Sequence, residues 1–328
     1  MPIVVNSNAS ATEASFNLSR NNEALRKSLG RLSSGKRISN PADDAGGLAV
    51  AYKLNSTINR SYATIQNAQN SLSYLQVQDS SLATVGKILD RMAELRTMAQ
   101  DITKNSGDIE NYSKEFIELQ SQLRQIKEEK FNGISLFAVH TGTAAGSKAQ
   151  MTKATDGGVY VDASGASIAY NKFGRELVTH PSGNTGNGSI SLNVVNLQFV
   201  LSLNGSANRN VNLGGIGHSN SGITTTTLGD DNFITRIRDV SVSEIINAIE
   251  KLADARAENG AEQNRIMNSI NLLQTNVTNL EAAHGRIMDA DIALESTRFA
   301  RYNVLVQASA AMTAQANQMT NIALSLLG

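Results

Sequence analysis

Apolar side chains recur every seven residues at both ends of this 328-residue chain. Positions seven apart lie on one face of an α-helix, so each row predicts a helix with one apolar face. The two rows, which we call the terminal seam, are Ala11, Leu18, Leu25 and Leu32 near the N-terminus and Leu305, Met312, Met319 and Leu326 near the C-terminus.

The terminal seam predicts helices that pack against other helices, because an isolated amphipathic helix gains nothing from burial in water. Residues 302–328 carry no charge, but ten Asn, Gln, Ser and Thr residues interrupt them. A lipid-facing helix would tolerate that polar content badly. We therefore predict a polymer interior and no membrane insertion. An antiparallel helix pair inside one monomer is the plainer alternative.

Further rows predict three more helices between the ends. The first runs from about 42 to 104, with Ile58 and Ile65 in one row and Leu75, Leu82 and Leu89 in the next. The second carries Phe116 and Leu123 and is predicted to end near Asn132-Gly133. The third starts near Ser243 and continues through Ile266, Leu273, Leu280 and Ile287.

Residues 138–235 have a different composition, with 15 of the 25 glycines and only ten charged residues. The apolar run 190–203 predicts one or two strands, and 159–162 and the β-branched run 224–227 are further candidates. The predicted fold is mainly α with a β-rich insert. Both chain ends form a long antiparallel helical rod or coiled coil, and the insert is an outward variable domain at its tip.

Charge and residue usage exclude several functions. With 29 basic and 29 acidic residues, the net charge of zero favours neither nucleic acid nor an anionic membrane. There is no Cys, and no HExxH motif or cluster joins the four histidines, so we predict no enzyme, metal site or cofactor. The N-terminus shows no signal peptide.

Two polar segments flank the predicted long helices. Asn40 suits an N-cap, Pro41 suits the first helical position, and Asp43 and Asp44 suit the positive end of a helix. Near the other end of the chain, Asp289 and Asp291 are predicted to be linker or capping residues rather than metal ligands.

Long segments of the chain closely resemble bacterial flagellins. They are LSSGKRISNPADDAGGLAVAYKL (32–54), EEKFNGISLF (128–137) and residues 264–328. The resemblance covers about 1–137 and 241–328 and leaves the middle third unmatched. It implies a structural subunit that self-assembles into the flagellar filament, the propeller of swimming bacteria.

The resemblance also implies a domain arrangement. Residues 1–41 and 290–328 would be inner core helices on the lumen side of the filament. Residues 42–140 and 236–289 would form an outer helical domain, joined to the inner one by the segments around Asn40–Asp44 and Asp289–Asp291. Residues 141–235 would face solvent, and we expect assembly to survive a deletion that joins 140 to 236.

Family resemblance further implies partners and a location. The subunit would polymerise with its own copies and meet an export chaperone, the filament cap and hook-associated proteins. It would be secreted to the flagellum without a cleaved signal peptide.

Residues 90–95 resemble a patch through which some flagellins contact an animal Toll-like receptor. Arg91, Glu94 and Leu95 match that patch, whereas Asp90 and Ala93 depart from it. The alternative identity is a hook–filament junction protein, which shares the terminal helices. Such proteins usually lack the Phe131-Asn132-Gly133 box found here.

Overall fold

The structure, a computed structural model, describes residues 8–138, 152–153, 158–161, 167–170, 172–205, 209–213 and 234–327. The chain divides into two compact units. The first unit combines Met1–Asn59 with Thr275–Gly328, and the second unit is Arg60–Gln274. Both boundaries fall inside long helices, so each of those helices contributes residues to both units.

The predicted mainly α fold is confirmed. The helices of the described ranges are α1 (Ala9–Ser34), α2 (Ala45–Met98), α3 (Ser106–Lys127), the short α4 (Leu197–Val200), α5 (Val242–Met288) and α6 (Ile292–Leu327). Local signals fix their ends. The Asn8 side chain accepts a hydrogen bond from the Ala11 N–H at 3.0 Å, which caps α1. Gly35 stops α1 with a φ of 68°, a left-handed conformation that glycine adopts at low cost.

The second predicted helix ends earlier than expected. α3 stops at Lys127, and a hairpin of β1 (Lys130–Phe131) and β2 (Ile134–Ser135) follows. Its turn residues, Asn132 and Gly133, have φ values of 50° and 77°. A two-residue turn with positive φ at both positions favours Asn-Gly, and this local preference overrides continuation of the helix.

The insert contains short antiparallel strands. They are β3 (Thr152–Lys153), β4 (Gly158–Val161), β5 (Ser167–Tyr170), β6 (Phe173–Val178), β7 (Ser189–Val194), β8 (Ser202–Gly205) and β9 (Arg209–Asn212). β3, β6 and β7 form one sheet in that order, whereas β4–β5 and β8–β9 are separate hairpins. The strand predicted at 159–162 is confirmed by β4, and the one at 224–227 lies outside the described residues.

The run 190–203 forms two strands rather than one. β7 ends at Val194, α4 intervenes, and β8 begins at Ser202. Asn196 causes the change of direction, because its side chain accepts a hydrogen bond from the Phe199 N–H at 3.2 Å and caps α4. Of the two alternatives left open by the sequence, the interrupted one is therefore correct.

The core of the second unit is built on the predicted apolar rows. Leu75, Leu82 and Leu89 are fully buried on α2, as are Phe116 and Leu123 on α3. A Cβ added to Gly86 of α2 would lie 3.3 Å from the Leu252 side chain of α5. A small residue here therefore permits close contact between the two helices.

Part of the insert belongs to this same core. The Ala138 N–H donates to the Val195 carbonyl at 3.0 Å, and the Lys251 Nζ donates to the Ser202 carbonyl at 2.9 Å. Apolar residues that follow β6 are buried with the helices, namely Val194, Val195, Leu197, Phe199, Val200 and Leu201. The segment 172–202 is thus packed and hydrogen-bonded within the second unit.

Candidate polymerisation surface

In the first unit, α1 and α6 form an antiparallel pair whose register is marked by polar contacts. The Asn8 Nδ2 donates to the Ala316 carbonyl at 2.8 Å, and the Asn21 Nδ2 donates to the Ser309 hydroxyl at 2.8 Å. Ser28 lies one heptad beyond Asn21 and contacts Glu295. A slip of α1 along α6 would break these pairs, so they favour one alignment in a face with little charge.

Glu295 is a buried carboxylate at the base of this pair. It is 5% exposed, and its Oε1 accepts a hydrogen bond from the Ser28 hydroxyl at 2.6 Å. Arg298 donates to Oε2 at 3.2 Å, while the Arg31 guanidinium lies 3.9 Å from the same oxygen. A buried charge is tolerated only with such partners, and removing one partner is costly.

The structure places the two halves of the terminal seam differently. Ala11, Leu18, Leu25 and Leu32 on α1 are half-buried. By contrast, Leu305 and Met312 on α6 are 38% and 64% exposed. Met319 and Leu326 lie within α6, but their side chains are outside the described part of the structure.

A neighbouring row of α6 faces α1, and the seven-residue analysis did not select it as the main row. Ser309 and Thr313 are half-buried, and Ala316 is 9% exposed. The remaining half-buried positions continue the same helical spacing and are Phe299, Tyr302 and Val306. Ser309 and Ala316 follow Leu305 and Met312 by four residues, so the sequence pattern places them on the same side of the helix, and in the structure this edge of the apolar stripe faces α1.

Large apolar side chains therefore remain at the surface of both terminal helices. Phe16 is 67% exposed and Leu29 is 53% exposed on α1. On α6, Ile292, Leu294 and Val304 are 63%, 51% and 64% exposed. Exposed apolar side chains of this size on both helices are candidates for contact with another molecule.

The two linkers near the terminal pair bind each other through their backbones. The Arg37 N–H donates to the Met288 carbonyl at 2.6 Å, and the Ala290 N–H donates to the Gly35 carbonyl at 2.9 Å. Lys36 and Asp289 form an isolated antiparallel bridge between these bonds. A small apolar cluster of Ile38, Leu48, Ala51, Ile287 and Met288 lies beside them. The linkers therefore form a bonded crossing, which no pattern in the sequence predicted.

The predicted linker residues are ordered, but the N-cap of α2 is not Asn40. Asp44 is the cap: its Oδ1 accepts a hydrogen bond from the Gly47 N–H at 2.8 Å. Asn40 and Pro41 lie in a preceding turn, in which the Asp43 N–H donates to the Asn40 carbonyl at 3.0 Å. Asp44 caps the helix because it directly precedes Ala45, where α2 starts, whereas the sequence pattern predicted a start near residue 42.

The other acidic linker residues have separate partners. Asp43 accepts a hydrogen bond from Lys27 at 2.5 Å, and this bond holds the pKa of the Asp43 carboxyl below its ordinary value. Asp291 caps α6, because its Oδ1 accepts from the Ala293 N–H at 3.0 Å and the Leu294 N–H at 3.2 Å. The capping interpretation of Asp291 thus agrees with the geometry.

In the second unit, the residues of the receptor-like patch do not share one exposed surface. Arg91 lies at the surface, where its guanidinium donates to Glu94 and Glu115 at 2.7 Å each. Leu95 is 0% exposed and belongs to the core. Of the three matching residues, only Arg91 and Glu94 can therefore touch a partner directly.

A carboxylate pair on α5 holds the insert strands. Glu258 accepts hydrogen bonds from Lys172 and from the Asn193 side chain. Both oxygens of Glu262 accept from the Asn193 N–H at 2.9 Å. Burial raises the pKa of the Glu262 carboxyl to about 7, partly offset by that backbone hydrogen bond, with the Glu258 charge adding to the rise.

Neither a membrane-spanning helix nor a metal-binding cluster occurs in the described residues. No helix there is long and apolar enough to cross a bilayer. No group of three or more His, Cys, Asp or Glu side chains there is placed to hold a metal ion.

Comparison with known proteins points to one family. The bacterial flagellin N-terminal helical region matches residues 5–141, and the bacterial flagellin C-terminal helical region matches residues 242–327. A flagellin of Bacillus subtilis (strain 168) is 30% identical over 98% of this chain and 99% of its own length. The flagellar filament 33 kDa core protein of Treponema phagedenis is 28% identical over 99% and 100% of the two chains.

Among solved structures, a putative flagellar hook-associated protein from Vibrio parahaemolyticus has a similar fold. It aligns with a TM-score of 0.53 and 16% identity, covering 75% of this chain and all of that one. At this identity the likeness shows a shared fold alone.

Proposed function

The chain belongs to the bacterial flagellin family, and we propose that it polymerises through the exposed apolar faces of α1 and α6. It is a structural subunit of the flagellar filament. The full-length similarity to flagellins disfavours the hook–filament junction protein as an identity.

The exposure of Leu305 and Met312 carries this proposal. These two members of the terminal seam point away from α1, although Ser309 and Ala316 on the same helix accept hydrogen bonds from it. Gly30 of α1 supports the same conclusion, since a Cβ there would meet no described atom within 4 Å. The uncharged stretch 302–328 and the free apolar side chains of both helices suit a filament interior, where each helix is surrounded by neighbours on several sides.

Substitution on the seam tests the proposal. Leu305→Asp and Met312→Asp would each place an unpaired carboxylate in a packed interior, at a cost of several kcal/mol per subunit. We expect filament growth, measured by sedimentation and electron microscopy, to be lost. The matched control Met312→Leu keeps an apolar side chain and should polymerise normally. The thermal unfolding of the second unit should stay unchanged in all three variants, and normal filaments from both Asp variants would refute the assignment.

We also propose the domain arrangement that the resemblance implies. Residues 1–41 and 290–328 form the inner layer, and residues 42–140 and 236–289 form the outer helical layer. The bonded crossing of the linkers supports a junction at this point of the chain. The compact units divide further along, at Asn59 and Thr275, because the linker cluster packs on the first turns of α2 and the end of α5.

We propose that the outward domain contains fewer residues than the range 141–235 predicted from the sequence. Segment 172–202 is bound to α5 through Lys172, Asn193 and Ser202. Ile234 also exchanges two hydrogen bonds of 2.9 Å with the buried Gln120 of α3. We therefore propose that the dispensable residues lie within 139–171 and 214–233, since Leu213 is fully buried and its N–H donates to the Leu201 carbonyl at 3.0 Å.

Partners and location follow from family membership as proposals. The subunit would leave the cell without a cleaved signal peptide and meet an export chaperone, the filament cap and hook-associated proteins. Recognition by a Toll-like receptor would depend on Arg91 and Glu94. Binding of purified monomer to the receptor, compared with Arg91→Ala, would test that last point.

A further inference from the structure

Three side chains of the second unit are arranged in a way that suits a covalent cross-link within the chain. They are Lys172, which directly precedes β6, Asn193 on β7 and Glu258 on α5. We propose that the Lys172 amine attacks the side-chain amide of Asn193 and joins the two strands through an isopeptide bond, with Glu258 moving the protons. This modification takes place inside one subunit and does not depend on polymerisation.

One carboxylate holds the amine and the amide together. The Lys172 Nζ donates to Oε1 of Glu258, and the Asn193 Nδ2 donates to Oε2 of the same side chain at 2.5 Å. The nucleophile and the leaving group thus lie on the two oxygens of one group. Groups held in this way react far faster than the same groups free in solution, once the reacting atoms reach a separation of about 3–3.5 Å. Rotation of the flexible lysine side chain toward Cγ of Asn193 supplies that approach.

The register of the two strands explains why these side chains meet. β6 and β7 pair antiparallel, with Gly174 opposite Asn193. Residues two apart along a strand share a face, so Lys172 lies on the face of Gly174 and diagonally from Asn193. Because Gly174 has no side chain, it leaves the diagonal between the lysine and the amide open. Glu262 fixes the backbone at this point, since both of its oxygens accept from the Asn193 N–H at 2.9 Å.

A small cavity adjoins the three side chains and has a volume of about 20 Å³. A space of this size holds one molecule as large as water, so ammonia has room to leave the amide. Buried apolar side chains form part of the lining, namely Val195, Phe199 and Val200. Lys251 and Asp254 line the cavity as well. The Lys251 ammonium donates to the Ser202 carbonyl at 2.9 Å, so it is Lys172 that shares a carboxylate with the amide.

The reaction exchanges one amide for another and needs no oxidant or reductant. The Lys172 ammonium gives a proton to Glu258, and the neutral Nζ forms a bond to Cγ of Asn193. Glu258 then passes a proton to Nδ2, which lies at its other oxygen, and takes a second proton from Nζ. The Cγ–Nδ2 bond breaks, and ammonia leaves and carries the second proton away as ammonium. Overall, one ammonium side chain and one primary amide become one secondary amide and one ammonium ion.

The surroundings of the cluster make this reaction slow. The Lys172 and Glu258 side chains are 31% and 35% exposed, and their ion pair favours the charged form of the amine, which is not a nucleophile. A slow reaction is sufficient, because the bond has to form only once in each subunit. The finished bond closes a loop of about 20 residues between the strands and so removes conformations from the unfolded chain.

Mass spectrometry of the denatured full-length protein measures the reaction directly. After prolonged incubation at neutral pH, the wild type should have lost the mass of one ammonia molecule. Its protease digest should contain a branched peptide that joins Lys172 to Asn193. Lys172→Arg is the matched control, because arginine keeps the positive charge beside Glu258 but stays protonated and cannot act as the nucleophile. This variant should keep its full mass.

A second variant tests the proton transfers. Glu258→Gln keeps the shape of the side chain but removes the base, and we expect it to slow formation of the branched peptide at least about a hundredfold. Circular dichroism shows whether the variant is folded. If it is not folded, the comparison of wild type with Lys172→Arg decides the question.

Three results would overturn the proposal. The first is a wild-type protein that keeps its full mass. The second is loss of ammonia without the branched peptide, since an Asn–Gly pair such as Asn132-Gly133 can lose ammonia by closing a succinimide ring. The third is formation of the branched peptide at the wild-type rate in folded Glu258→Gln, which would refute the role of that carboxylate. All three are measured on the monomer, so they are separate from the test of filament growth.

Discussion

The second unit and the α1–α6 pair both use apolar rows with a seven-residue step, but they bury them to very different extents. In the second unit, Leu75, Leu82 and Leu89 are 0% exposed. In the α1–α6 pair, Ala316 is the sole buried apolar side chain among those whose burial the structure describes. Leu305 and Met312 remain open to solvent. The same sequence pattern gives a buried apolar core in the second unit and a largely exposed apolar face in the α1–α6 pair.

The difference depends on how many elements cover each helix. α2 is hydrogen-bonded to α3 through Arg91 and Glu115, to α5 through Gln78 and Asn259, and to β7 through Gln78 and Asn193. Its apolar row therefore has neighbours on several sides and is fully buried. α1 and α6 are covered within the described chain chiefly by each other. Two helices alone bury little surface, which leaves polar pairs such as Ser28–Glu295 to set their alignment. A subunit that must polymerise keeps such open surface for its neighbours.

The largest expected effect comes from removing the insert segment that completes the second unit. Joining 140 to 236 through a Gly-Ser linker would expose the surface that Val194, Leu197 and Phe199 cover, and would remove partners of Gln78 and Lys251. Large-to-small losses in cores cost about 2–5 kcal/mol per side chain. We therefore expect this deletion to unfold the second unit at room temperature, as followed by circular dichroism.

The matched deletion joins 140 to 172 and keeps the core-bound segment. Its unfolding temperature should stay close to that of the intact chain, and it should still form filaments. The sequence alone predicted that even the larger deletion would assemble. Filaments from the larger deletion would restore that prediction and show that segment 172–202 is not required for the core.

We expect a smaller difference between the two regions in how fast a protease cleaves them in the monomer. Proteases cut through locally opened states, and elements with few buried apolar contacts open most easily. We expect trimming of roughly the first 40 and last 35 residues while 60–274 survives. Assembly should protect the ends, because neighbouring subunits would cover the exposed apolar side chains of α1 and α6. If the termini of the monomer resisted cleavage as well as its core does, the expected difference in cleavage would be refuted.

The smallest expected effect is a pH dependence confined to the second unit. The folded state raises the pKa of Glu262 to about 7 from an ordinary value of 4.5, so it favours the protonated carboxyl. Its stabilising contribution is present below about pH 4.5 and is lost as pH rises through about 7. Because the side chain is half-buried, solvent screening reduces the effect to about 1–2 kcal/mol.

Glu262→Gln removes that titration and should flatten the fall in unfolding free energy between about pH 5 and 8. Chemical denaturation at several pH values would measure the free energy of unfolding of each variant. Glu258, Lys172, Arg265 and Tyr74 also face this carboxyl and are unchanged in the variant. A Glu281→Gln control lies outside the second unit, on the exposed surface of α5, and should leave the pH profile as it was. Identical profiles for wild type and Glu262→Gln would exclude the carboxylate as the cause.

Much of the fold of this protein could be predicted from the sequence, because the signals that specify it are local or periodic. Seven-residue rows located the five long helices, glycine content located the insert, and the flagellin-like segments identified the family. Caps were only partly predictable. Asp291 was placed correctly, whereas Asn40 was preferred over Asp44, because several adjacent residues could cap α2 and only the folded chain selects among them.

What only the tertiary structure decided is which faces meet. Periodicity could not distinguish the α6 row through Ser309 and Ala316, which packs on α1, from the adjacent row through Leu305 and Met312, which does not. Nor could it reveal that β7 and α4 complete the second unit, since those contacts join residues far apart in the chain, such as Gln78 and Asn193. Helices and turns follow from the sequence through short-range geometry, whereas burial depends on distant parts of the chain that cover the same surface.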